Sequence, residues 1–111
     1  MENEHDDRSA FDYFWDNANR LQADQNFREV MRELDEGRQE TLSLLVSDPA
    51  GFLRFRGIQI PQDFRVSVKR TVEAVAAPGG GTGTGHEIRC DCIVICFLRY
   101  CGIICTCRVI S

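Results

Sequence analysis

At 111 residues the chain has room for one small domain, which buries only about two-thirds of the surface its unfolded form exposes and leaves no space for a deep, walled active site. Hydrophobic (43%) and charged (27%) fractions are ordinary, but they average two unlike segments. Residues 1–78 carry 15 Asp+Glu against 10 Lys+Arg, whereas residues 79–111 carry two acids, three arginines and all six cysteines. The acidic balance, net −4, and the lack of a basic patch argue against a nucleic-acid partner.

In chain order, the start MENEHDDRSA is charged and is expected to fray, with no secretory signal in it and no membrane span after it. Ser9 is placed to cap a helix over about 10–21, because Phe11, Phe14, Trp15, Ala18 and Leu21 recur at helical spacing. A second helix, about 25–36, follows Asp24 with Phe27, Val30, Met31 and Leu34 on one stripe, and Gly37 ends or interrupts it. Residues 41–46 are too short to assign by period. Ser47-Asp48-Pro49 opens a third helix, about 48–56, with Phe52, Leu53 and Phe55 expected on its buried side and Gly57 as its stop. Past Pro61 the period changes to two: Phe64, Val66 and Val68 alternate with Arg65, Ser67 and Lys69, a half-buried strand over about 64–72. Residues 79–85 hold five glycines and read as a linker.

The cysteines fall at 90, 92, 96, 101, 105 and 107, a palindrome about Leu98-Arg99. Folded as a hairpin with Phe97-Leu98-Arg99-Tyr100 as its loop, the tail opposes Cys96 to Cys101, Cys92 to Cys105 and Cys90 to Cys107. Strand side chains alternate, so all six thiols share one face, with Val94 opposite Ile103. On the other face Ile93 meets Ile104 and Arg89 meets Arg108. Opposed residues of this kind lie within disulfide reach. The spacing also contains i, i+4 pairs that suit a helix, although the β-branched residues around them favour strands. Neither form is expected to be well ordered while the thiols are reduced. Lanthionine bridges need one Ser or Thr per cysteine, and Thr82, Thr84, Thr106 and Ser111 cannot serve six; disulfides, other thioethers and azoles stay open.

The order Asp48-Pro49, Gly57-Ile58-Gln59-Ile60-Pro61, then Phe64-Arg65-Val66-Ser67-Val68 resembles the nitrile-hydratase-like leader peptides of natural-product precursors, over roughly residues 24–71. The tail in turn resembles ladder-disulfide antimicrobial hairpins. The first resemblance implies a small α+β architecture without enzymatic activity or cofactor: a helical leader with a helix-turn-strand unit (1–78), a glycine-rich linker (79–85) and a cysteine-rich core peptide (86–111). It also implies that the leader docks on a maturation enzyme and a peptidase-containing exporter, that cleavage falls at Gly79, Gly80 or Gly81, and that the core is exported from the cytoplasm with Cys90, Cys92, Cys96, Cys101, Cys105 and Cys107 crosslinked. The mature peptide would then act on membranes. Phe52, Leu53, Ile58, Ile60, Pro61, Phe64, Val66 and Val68 are the expected recognition surface, since a unit this small should not bury them all, and its strand edge could add to a partner's sheet.

Three readings compete, the precursor peptide being the first. In the second, the thiols, with His86, bind Zn or Cu(I), or, as a nitrile-hydratase-like fragment, Cys101, Cys105 and Cys107 stand as the nearest counterpart of that enzyme's metal cluster. Their spacing has one residue too many for that cluster, and Cys-x-Cys lacks the paired knuckles of structural zinc. A small redox or interaction protein is the third reading, although no Cys-x-x-Cys is present.

Overall fold

A computed structural model describes the backbone of residues 2–75 and 86–110, and side chains within residues 8–73 and 87–109. The fold is α+β. Four helices, α1 (Glu2–Ala23), α2 (Gln25–Asp35), α3 (Gln39–Ser47) and α4 (Pro49–Phe55), precede three strands, β1 (Arg65–Val75), β2 (His86–Phe97) and β3 (Tyr100–Ile110). The strands form one antiparallel sheet in the order β1-β2-β3.

The helix boundaries follow local chemistry. The Asp24 carboxylate accepts the Phe27 N–H at 3.1 Å and caps α2. Gly37, at φ +78, turns the chain out of α2. Asp48 accepts the Gly51 N–H at 3.2 Å, Pro49 occupies the first turn of α4, and Gly57 at φ +84 ends it. Three expectations are corrected here. The first helix starts at Glu2 and Ser9 lies inside it, because residues 2–8 contain neither Gly nor Pro to stop it. Residues 41–46, left unassigned, belong to α3, which buries Thr41, Leu42 and Leu45. Phe55 is 85% exposed, because it stands two residues from the buried Leu53, on the far side of the helix.

The core joins both compositional segments. Phe14, Ala18 and Leu21 of α1, Phe27, Val30 and Leu34 of α2, and Leu53 of α4 pack with Ile93 and Ile95 of β2, which are 0% and 1% exposed. β2 is therefore the central strand, paired to β1 from Arg65↔Cys96 to Val75↔His86 and to β3 from Phe97↔Tyr100 to Glu87↔Ile110. One face of the sheet, through Val66, Val68, Ile93, Ile95 and Ile104, lies under the helices. On the opposite face Ser67, Lys69, Thr71, Cys101, Ile103, Cys105 and Cys107 are exposed.

An aromatic cluster ties the helices to the turn of the hairpin. Phe64 stacks on Phe14 and Phe97 at 6.0 and 5.3 Å between centroids, Tyr13 meets Phe97 edge-on at 4.9 Å, and Phe11 meets Tyr100 at 5.6 Å. This packing holds Phe97 and Tyr100 in the ladder, so the loop is Leu98-Arg99 rather than the four residues expected. Leu98 takes a positive φ of 55, the left-handed first position of a tight hairpin turn where glycine is usual. Arg65 donates from Nη2 to the Leu98 carbonyl at 2.7 Å and steadies it.

Candidate functional site: a cystine ladder on the open face

The six cysteines close three disulfides, Cys90–Cys107, Cys92–Cys105 and Cys96–Cys101, with Cα atoms 4.0, 4.0 and 4.1 Å apart. These are the pairs selected by the palindromic spacing, and each sits at a directly opposed register position. Val94 and Ile103 fill the gap between the second and third rungs, Ile103 being 55% exposed. The ladder lies on the open face, opposite the one that carries Ile93 and Ile95. Cys92 is 4% exposed even there, since Lys69 on β1 and Cys105 on β3 flank it.

The bonds have a chemical consequence. A disulfide sulfur is not a thiolate, so in this bonded form Cys101, Cys105 and Cys107, joined to Cys96, Cys92 and Cys90, offer no thiolate to a metal. Among the described residues no group of three or more His, Cys, Asp or Glu is placed to hold a metal ion. No described helix is long and apolar enough to cross a membrane.

The expected recognition residues are gathered into one place, but it is the interior. Phe52, Leu53, Ile58, Ile60 and Phe64 are buried in the core, Val66 and Val68 pack against it, and Pro61 is half-buried with its carbonyl accepting Arg54 Nη2 at 3.2 Å. These side chains therefore do not form an accessible docking surface. The expectation treated the helix-turn-strand unit as standing alone, whereas β2 supplies the missing cover through Ile93 and Ile95. What α3 and α4 expose instead is Leu44, Val46 and Phe55, beside a groove of about 390 Å³ lined by Leu44, Ser47, Asp48, Phe52 and Phe55. The helical spacing of Leu42 and Leu45, with Leu44 off their stripe, was the signal for it. The backbone edge of β1 facing away from β2 pairs with no strand among the described residues. The expected cleavage positions Gly79, Gly80 and Gly81 lie outside the described residues.

Within the helical layer, one ion pair is well sheltered. Glu33 Oε2 accepts from Arg56 Nη2 at 2.6 Å, and Oε1 accepts from Arg56 Nη1 at 3.1 Å and from the Thr41 hydroxyl at 2.6 Å. The Arg56 hydrogen bonds, then that of Thr41, hold the Glu33 carboxyl down at about 2. This joins α2 to α3 and to the end of α4.

Comparison of the chain with family models, curated proteins and solved structures yields no match.

Proposed function

We propose that this chain is the precursor of a ribosomally made, post-translationally modified peptide, residues 1–78 acting as leader and residues 86–111 as the product. One observation carries the reading: every disulfide joins β2 to β3, and none reaches β1 or a helix. A cut anywhere in residues 79–85 would thus leave a hairpin whose two strands stay covalently closed, with no crosslink to the leader. Glycines dominate that stretch in the sequence, and a backbone without side chains is readily accommodated in a peptidase groove. In this reading the leader binds a maturation enzyme and a peptidase-containing exporter, and the hairpin leaves the cytoplasm for an oxidising compartment, where disulfides persist. The leader acts by binding, with no cofactor and no catalytic residue of its own.

A second reading is favoured by the position of β2. Its Ile93 and Ile95 are core to the whole chain, so an uncleaved, disulfide-stapled interaction domain is also consistent. Intact mass spectrometry of the chain from producing cells and their medium separates the two. The precursor reading expects a species starting within residues 79–86, about 2 Da lighter per disulfide than its reduced form. Recovery of the uncut chain alone, in both fractions, would overturn it.

A further inference from the structure

On the helix-covered face the rungs of the hairpin run from the turn to the open end as Ile95/Gly102, Ile93/Ile104, Asp91/Thr106 and Arg89/Arg108. The last pair sets two like charges directly opposite each other, an arrangement that destabilises a sheet unless something lies between them. Both residues are half-buried, and the Nε of each is buried without a hydrogen-bond partner. Neither arginine takes part in an ion pair among the described residues.

The surrounding acids do not serve them. Asp91, 5% exposed and next to both in the ladder, accepts Arg70 Nε at 3.0 Å. Asp35 accepts the Thr106 hydroxyl at 2.9 Å, and Glu87, on the same face one step further out, is exposed and makes no ion pair with Arg89. Three arginines therefore share this face with one buried carboxylate, which bonds a single one of them. A purely structural role explains half of this. The Arg108 guanidinium packs against Gly37, where any Cβ would collide with it, and a cation is favoured at the carboxyl end of α2. That accounts for Arg108 and leaves Arg89 facing it uncompensated.

We infer that Arg89 and Arg108 form a binding site for a phosphate group, either a free phosphate or the headgroup of an anionic phospholipid. A tetrahedral oxyanion offers several acceptor oxygens, enough for two planar guanidinium forks at once, and its charge turns their mutual repulsion into attraction. The adjacent Cys90–Cys107 rung fixes the spacing of the two strands at this level. The inference concerns the folded chain whether or not it is processed, so it goes beyond the proposed function and does not depend on it.

The test uses the full, oxidised, isotope-labelled chain. Inorganic phosphate is titrated at constant ionic strength, because exposed charges are screened by salt, while the amide and Nε–H resonances of Arg70, Arg89 and Arg108 are followed. A parallel arm measures cosedimentation with phosphatidylglycerol vesicles, and with phosphatidylcholine vesicles as the zwitterionic control. Saturable shifts confined to these arginines are expected. The R89Q/R108Q double variant should weaken binding by about tenfold or more, the loss of one or more charge-assisted contacts, and K69Q, on the open face, should leave it within about twofold. R89K/R108K, which keeps both charges and loses the forks, should retain only part of the affinity. Silence with inorganic phosphate but arginine-dependent binding to phosphatidylglycerol vesicles supports the site and assigns the lipid as its source. Absence of a saturable response in both arms overturns the proposal, as does unchanged affinity in a double variant whose three disulfides map as in the parent.

Discussion

The two faces of the sheet are held by different physics. The covered face is packed: Ile93 and Ile95 lie under Phe14 and its aromatic neighbours, and that contact surface runs through every helix. The open face is bonded, by three covalent rungs that touch only β2 and β3. Packing therefore joins the hairpin to the rest of the chain, while covalent bonds join it only to itself. The hairpin is specified twice and the helical body once. Loss of the packing should free the body and spare the register of the hairpin, whereas loss of the bonds should weaken the hairpin and leave the register to packing.

The largest expected effect comes from breaking the covered face. Phe14 is 1% exposed and makes ring contacts with Trp15, Phe64 and Tyr100. Phe14→Ala should cost about 3–5 kcal/mol, transfer and cavity terms together, a large share of the ~5–15 kcal/mol available to a whole domain. Urea denaturation of the oxidised chain, followed by helical circular dichroism, measures it. Disulfide mapping of the same sample should still return Cys90–Cys107, Cys92–Cys105 and Cys96–Cys101. Scrambled pairs in this variant would show that packing, and not the hairpin itself, selects the register.

Breaking the bonded face should do less. The Cys92–Cys105 rung spans 13 positions, and the loop-closure argument assigns such a loop roughly 3 kcal/mol. With the outer and inner rungs intact, the double variant Cys92→Ser, Cys105→Ser should lose less than that, because part of the same entropy is already removed by its neighbours. Order of formation is a finer probe. Cys96–Cys101 spans only 5 positions and closes first at the smallest entropy cost. Removing Cys96 and Cys101 should slow the other two bridges more than removing Cys90 and Cys107 does, as read by acid quenching and mapping of intermediates. Equal rates would mean that the helical layer pre-aligns the strands before any rung forms.

How much of this was legible depended on the range of the interaction. The caps at Asp24 and Asp48, the stops at Gly37 and Gly57, and the strand through Val66 and Val68 are local, and each could be read from a few neighbouring residues. The disulfide pairing was also legible, since a palindromic spacing and a two-residue period leave one register in which all the thiols meet. Non-local contacts were not legible. That β1 would pair along β2 across the glycine run, that Ile93 and Ile95 would cover Phe64 and Leu53, and that the supposed docking surface would thereby become core all depend on segments far apart in the chain. Phe55 departs from its expected buried position for a smaller reason: a helix of seven residues gives too few turns to fix the buried stripe by counting.

The smallest effect sharpens the contrast through pH, since the covered face contains a titrating contact and disulfides do not titrate. Glu33 and Arg56 are 13% and 27% exposed at their side chains and bridge α2 to the end of α4. In the folded chain the Glu33 carboxyl is held at about 2 against 4.5 for the unfolded group, chiefly by the Arg56 hydrogen bonds and then by Thr41. The folded value lies below the unfolded one, so the stabilisation is complete above pH 4.5 and is lost as the pH falls from there toward 2. Its size is about 1–3 kcal/mol, from the difference between the two values reduced for the partial exposure of the pair. Glu33→Gln keeps the shape and removes the charge, and should therefore be weaker than the parent at neutral pH by that amount and show a shallower loss between pH 4.5 and 2. Urea midpoints of the two proteins across that window give the comparison, with disulfide mapping at each pH as the internal control. Helical signal lost in acid while the three bridges remain native is the expected outcome, since protonation acts on the layer that packs and not on the strands that are bonded. An identical acid slope in parent and Glu33→Gln would assign the loss to other carboxylates, of which the helices carry many, and would remove this pair from the account of what holds the covered face.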